Sequence, residues 1–391
     1  MEVGAAGTPA VPDRAVTRRG ALLLPLVLAT MASQALLVVL SPTIVAIGED
    51  LGASVSAVGQ ARSIMAAVAI VSSVVITARI GDIGVRRLLA VGAGLAVLGV
   101  ALVASAPNLW LFLAAHVVVG IAFACLLSGG FAGVAAFRPD DRAWAVGWVV
   151  AANSLAWIVV NPVAGALTVR LSWRVAELVP AAIALIALLT VRNVAAAPTT
   201  AAPARLRGVL ANSSARRWIG SELIAYAAWT GLLTFVGAFF IDTFDVSAGT
   251  AGWLLAAGAA AHFTAATRTG RLAARFPRKR LVVACAVAMV ALLPVLLANA
   301  RSLAAAALAF CLLGAAAGVR TPASSSLGLV QLPDHPETMM AARTGATQLG
   351  YLVGAALGGV VIAAAGYEAL GVVLAAGMAV SAVLVLRVRD A

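Results

Sequence analysis

The chain has 391 residues, 63% of them hydrophobic and only 11% charged, a composition that no water-soluble fold of this length can cover with polar surface. Lipid is therefore the expected solvent for most of it. The net charge of +12 comes from 27 basic residues, all arginine except Lys279, and they fall between apolar runs, as topology signals do and nucleic-acid surfaces do not.

Residues 1–20 form a polar tail, expected to be disordered, that ends in Thr17-Arg18-Arg19-Gly20. That stretch superficially resembles a twin-arginine signal, but the span after it is too long for a signal's apolar region and further spans follow. Apolar runs lie at 21–47, 56–78, 88–106, 109–136, 143–169 and 175–191. A linker bearing Pro and Arg, 192–217, leads to further runs at 218–240, 250–267, 281–298, 302–330, 343–365 and 369–386, and 387–391 form a second tail. Each run is continuously apolar instead of alternating, which predicts helices and not a barrel. A helix needs about 20 residues to cross the hydrocarbon core, so the reading is an all-α integral membrane fold of twelve transmembrane helices. Cys125, Cys285 and Cys311 sit inside apolar runs, so neither a disulfide framework nor a metal site is expected.

Placing the N-terminus in the cytoplasm puts 22 basic residues, Arg343 among them, in inside segments, against Arg62, Arg170, Arg174 and Arg301 at the outer side. This imbalance predicts a multi-pass protein of the cytoplasmic membrane with both termini cytoplasmic.

A pattern recurs at about 193 residues. Asp82 pairs with Ala274, Gly120 with Gly314, Pro139-Asp140 with Pro333-Asp334, and Trp173 with Tyr367. The run Trp157-x-x-x-Asn161-Pro162-x-x-Gly165-Ala166 pairs with Gly350-x-x-x-Gly354-Ala355-x-x-Gly358-Gly359. Two pseudo-symmetric six-helix bundles, 21–191 and 218–386, follow from this duplication.

At these residues the sequence resembles the major facilitator superfamily, most closely its twelve-helix drug:proton antiporter branch. The family motif G-x-L-A-D-R-x-G-R-R is echoed by Ala78, Ile80, Gly81, Asp82, Gly84, Arg86 and Arg87, one residue short between Asp and Gly and with Ile83 in place of Arg. Gly270, Leu272, Ala273, Arg275, Arg278 and Lys279 keep the pattern in the second half, where Ala274 and Pro277 replace Asp and Gly. The resemblance implies that Asp82, Arg86, Arg87, Gly270, Arg275 and Arg278 latch the halves in one state. Pro162 and Gly165 match part of the antiporter motif G-x-x-x-G-P-x-x-G-G, while Trp157, Asn161 and Ala166 depart from it. With Gly350, Gly354 and Gly358 of the eleventh helix, they suit close helix packing and a hinge. The fourth-helix motif R-x-x-x-G appears as His116-x-x-x-Gly120, so the arginine that relatives use in proton coupling is missing.

Ionisable residues within the membrane are costly, and each is a candidate for function. Glu222, His262 and His116 are the candidates for proton coupling, although both histidines also suit a structural role. Glu222, Tyr226 and Trp229 share one helix face, which could offer a carboxylate and two aromatic rings to a lipophilic cation. Alternatively Glu222 pairs with Arg216 and Arg217 near the interface. Arg320 could bind an anionic substrate or pair with Glu222, and Arg62 could simply snorkel. Gln34, the face formed by Asn153, Trp157 and Asn161, and the stripe Thr344, Gln348 and Tyr351 complete a midplane site lined by helices 1, 4, 5, 7, 8, 10 and 11.

The one lysine stands between two arginines, so no phosphate-binding loop is present and ATP-driven pumping is excluded. The expected function is secondary active transport, foremost proton-coupled efflux of small, lipophilic or drug-like compounds by alternating access. An uptake carrier or uniporter for a polar metabolite (sugar, amino acid or organic anion) is the alternative, and a non-transporting scaffold or receptor is a third reading. The expected partners are a small-molecule substrate, protons and the bilayer, with no nucleic acid and no cofactor, and the chain is expected to act as a monomer.

Overall fold

The computed structural model describes residues 13–194, 209, 211–333 and 336–389. The tail up to residue 12, most of the linker with Arg205 and Arg207, Asp334 of the repeat, and residues 390–391 lie outside the described residues.

α1 (Asp13–Val38) and α2 (Leu40–Leu51) form the first span, broken at Val39 because Pro42 has no N–H to give the Val38 carbonyl. α3 (Val55–Ile83), α4 (Val85–Ala104), α5 (Leu109–Ala132) and α6 (Pro139–Arg170) are the next four spans, and the short α7 (Trp173–Ala176) with α8 (Val179–Thr190) is the sixth. The second half holds α9 (Ser213–Phe244), α10 (Ala248–Ala273), α11 (Arg278–Leu297), α12 (Leu303–Leu329) and α13 (Pro336–Leu386). Ten helical segments are long and apolar enough to cross a bilayer, and one of them, Thr338–Leu386, folds back at Gly366 (φ 76°) into two crossings. α10 falls short in apolarity because His262, Thr264, Thr267 and Arg268 interrupt it, and with it the described residues make twelve crossings in two six-helix bundles.

Polar caps mark the helix starts. Ser54, Asn108, Ser247 and Ser302 each accept a first-turn backbone N–H, in two pairs set 193 and 194 residues apart. A tertiary contact repeats as well: Trp173 Nε1 donates to Asp50 Oδ2 at 3.2 Å, and the Tyr367 hydroxyl donates to Asp242 Oδ2 at 2.7 Å.

The bundles meet at the helix ends remote from the chain termini. Ser41 Oγ donates to the Leu233 carbonyl at 3.0 Å, and Gln60 Nε2 reaches the Ala356 carbonyl at 3.5 Å. α6 crosses α10 there at near backbone contact, since a Cβ on Gly252 would overlap the Asn161 carbonyl and one on Gly165 the Ala248 carbonyl. In lipid, where apolar side chains gain nothing by leaving the solvent, such close approach is what holds helices together. At the other end the bundles part: Phe131 of α5 and Thr344 of α13 line the space between them and stay exposed. The molecule is thus closed at the remote end and open at the end that carries both termini.

Candidate functional site

Between the bundles lies a cavity of about 330 Å³. Gln34 of α1, Asn153 and Trp157 of α6, Tyr226 and Trp229 of α9, His262 of α10, and Arg343, Gln348 and Tyr351 of α13 reach it, with Phe123, Phe131 and Phe310 among its apolar lining. Trp157 Nε1 donates to Gln34 Oε1 at 3.3 Å, which fixes both side chains on one wall. On the opposite wall His262 stacks on Trp229, with ring centroids 6.3 Å apart and planes inclined by 18°. The Asn153 side-chain oxygen is buried and has no hydrogen-bond partner among the described residues.

Four expected site residues, Glu222, Arg320, His116 and Asn161, lie outside the cavity lining. Glu222 does not reach the cavity: it is fully buried behind it, and its face of α9 turns into the second bundle while Tyr226 and Trp229 turn to the cavity. Arg320 is buried beside it, 4% exposed. The two join in an ion pair of 3.0 Å, and Ser324 Oγ donates to the same carboxylate oxygen at 2.9 Å. The other oxygen receives Arg343 Nε at 2.8 Å, and an Arg343 terminal nitrogen donates to the Tyr226 hydroxyl at 3.0 Å. Glu222 is therefore held by Arg320 and Arg343, not by Arg216 and Arg217. One carboxylate facing two guanidinium groups leaves the cluster one positive charge in excess, and Arg343 carries it to the cavity wall.

His116 is also outside the cavity, 5% exposed and packed on Phe112 at 4.6 Å between ring centroids. Its Nδ1 lies 2.8 Å from the Phe112 carbonyl, which can only accept, so Nδ1 carries the proton and Nε2 is the free nitrogen. Arg62 does not snorkel. It is 2% exposed, donates to the Leu37 carbonyl, and crosses to the other bundle, where NH1 donates to Thr234 Oγ1 at 2.9 Å.

Asn161, fully buried, donates to the Trp157 carbonyl at 2.7 Å and backs the cavity wall without lining it. Pro162 and Gly165 form the crossing with α10. Gly350 and Gly354 admit α9 closely, and Gly358 packs on Phe235. Asp82, Arg86, Arg87, Gly270 and Arg275 are exposed and Arg278 is half-buried, at the open end; none of the charged ones makes an ion pair with a described residue.

Arg343 was missed because it starts an apolar run, where a charge ordinarily marks the membrane surface. Its spacing from Thr347 and Tyr351, one and two helical turns further on, held the signal that it shares their cavity-facing region.

The sequence profile of the Major Facilitator Superfamily matches residues 26–220 and 218–391. The chain belongs to the major facilitator superfamily. No curated protein matches this superfamily member in sequence. Among solved structures, a mutant of the nucleoside transporter NupG aligns with a TM-score of 0.75 at 13% identity, over 93% of this chain and 98% of that one. A D-xylose-proton symporter aligns with a TM-score of 0.75 at 14% identity, over 95% and 98%. Both show a shared fold, and the family makes the protein a multi-pass membrane transporter.

Proposed function

We propose that this transporter carries a small organic anion with an aromatic or apolar portion, coupled to protons, by alternating access. The observation that supports this most is the charge of the cavity wall. Arg343 faces the cavity, its carboxylate partner is buried behind it and shared with Arg320, and no acidic side chain lines the cavity among the described residues. A lipophilic cation would meet that excess positive charge with nothing to neutralise it, whereas a carboxylate or phosphate can take the guanidinium as a forked partner. Trp157, Trp229 and Tyr351 offer ring faces to the apolar part.

His262 is the titratable cavity residue left once Glu222 is withdrawn, and a protonated imidazole would add a second cation for the anion. Proton and anion then bind cooperatively and travel together, which favours uptake, and a neighbour of the same fold is described as a proton symporter. The aromatic lining favours a second reading, proton-coupled efflux of drug-like compounds as in the antiporter branch. With both termini in the cytoplasm, the present state is open to the cytoplasm. The bundles 21–191 and 218–386, joined by 192–217, would then rock as units within a monomer, with the Asp82 and Arg86–Arg87 latch engaged in the opposite state.

The test is transport by purified protein in liposomes under an imposed pH gradient, with aromatic carboxylates and a lipophilic cation as probes. Accumulation of the carboxylate on the side the protons move toward supports the proposal. Movement of the cation alone, against the proton flow, overturns it in favour of the antiporter reading.

A further inference from the structure

The first bundle holds a second set of buried ionisable residues, separate from the central cavity. Arg62 of α3, His116 of α5 and Glu177, between α7 and α8, line one small void together with Leu37 and Met65. All three are nearly inaccessible, at 2%, 5% and 4% exposure. Glu177 receives one hydrogen bond, from Thr43 Oγ1 at 3.2 Å. Among the described residues, Arg62 has no carboxylate within ion-pair distance and its Nε has no partner. Its other nitrogens are occupied by the Leu37 carbonyl and by Thr234 of the other bundle. A buried guanidinium and a buried carboxyl that share a void without pairing are costly unless another arrangement uses them.

We propose that Glu177 is a protonation switch for the remote end of the transporter, with Arg62 exchanging Thr234 for the Glu177 carboxylate when that end opens. Opening separates α3 from α9 and takes Thr234 away, which leaves the Arg62 guanidinium one hydrogen-bond acceptor short. An ionised Glu177 across the void supplies a charged one, and a protonated Glu177 does not. A proton on Glu177 therefore favours the closed remote end and its loss favours the open one. The other groups facing the pair are His116 from α5, with Nε2 free, Thr43 from α2 and Tyr351 of α13 facing Arg62 from the second bundle. The Asp50–Arg174 pair lies on the solvent side and is half-exposed. The switch does not depend on what the central cavity carries.

The test uses the full-length protein in lipid nanodiscs, its native cysteines replaced by serine and spin labels placed at Leu171→Cys and Thr243→Cys on the two bundles of the remote end. Raising the pH from about 5 to about 9 is expected to shift the label distances from closed to open, by up to about tenfold in population ratio per pH unit, the limit for one proton. Glu177→Gln is expected to stay closed throughout, and Glu177→Asp to regain the response. If Glu177→Gln does not accumulate in the membrane, Arg62→Gln serves, since it removes the group that reads the proton and is expected to abolish the response. A pH response unchanged in either Gln variant overturns the proposal, as does a wild-type protein whose remote end ignores pH.

Discussion

Arg343 joins Glu222 from the cavity side, its Nε donating to Glu222 Oε2 at 2.8 Å while its fork turns to the Tyr226 hydroxyl at 3.0 Å. An anion arriving in the cavity competes with a carboxylate that Arg320 already half-satisfies, so Arg343 can swing its charge to substrate without stranding Glu222. Arg343→Gln is expected to weaken binding of an aromatic carboxylate by about tenfold to a hundredfold, the worth of one charge-assisted contact. Arg343→Lys is expected to recover part of it, because an ammonium keeps the charge and loses the fork. Isothermal titration of the detergent-purified protein measures both, and equal affinity in Arg343→Gln would remove the residue from the site.

The same cluster predicts a stability effect that is independent of substrate. Glu222→Gln leaves the guanidinium groups of Arg320 and Arg343 with a neutral amide, and breaking a buried pair from one side costs about 3–5 kcal/mol. Thermal unfolding in detergent is expected to show a lowered midpoint. The double variant Glu222→Gln with Arg320→Met removes charge from both sides and is expected to recover much of the loss, so the two substitutions will not add. Strict additivity would mean that the 3.0 Å pair carries no coupling.

His262 stacks on Trp229 and faces the same cavity as Arg343. His262→Phe keeps a ring for the stack and removes the proton site. In the wild type, anion binding is expected to tighten as the pH falls through the acidic range in which the imidazole gains charge. In His262→Phe the affinity is expected to be flat across it. A retained pH response would assign the coupling proton to another group.

The twelve crossings and their duplication were legible because both live in one dimension. Lipid demands continuous apolar runs, and a repeat leaves matched anchors such as Trp173 and Tyr367, which make the same contact to an aspartate in each half. The cavity-lining aromatic and amide residues were legible from helical spacing. What escaped was pairing across helices. Arg343 and Arg62 looked like membrane-surface charges because they sit near the ends of apolar runs, and Glu177 drew no attention beside the Trp173-Arg174 turn. Only the packing of α3 against α9, and of α9 against α13, shows that both arginines reach inward.

The α6–α10 crossing makes the last prediction. Gly252 sits against the Asn161 carbonyl and the Pro162 Cα with no room for a Cβ. Gly252→Leu overpacks a contact that exists only while the remote end is closed. Overpacking of this kind costs about 1–3 kcal/mol, and a two-state equilibrium moved by that amount shifts about tenfold to a hundredfold towards the state without the clash. Ser41, fully buried at the same end, reports the change. In a Ser41→Cys background without native cysteines, Gly252→Leu is expected to raise the rate of labelling by a membrane-impermeant thiol reagent by about tenfold or more. The label must arrive from the side opposite the termini. Unchanged labelling would mean that the crossing yields by local rearrangement and does not report on the closure of the two bundles.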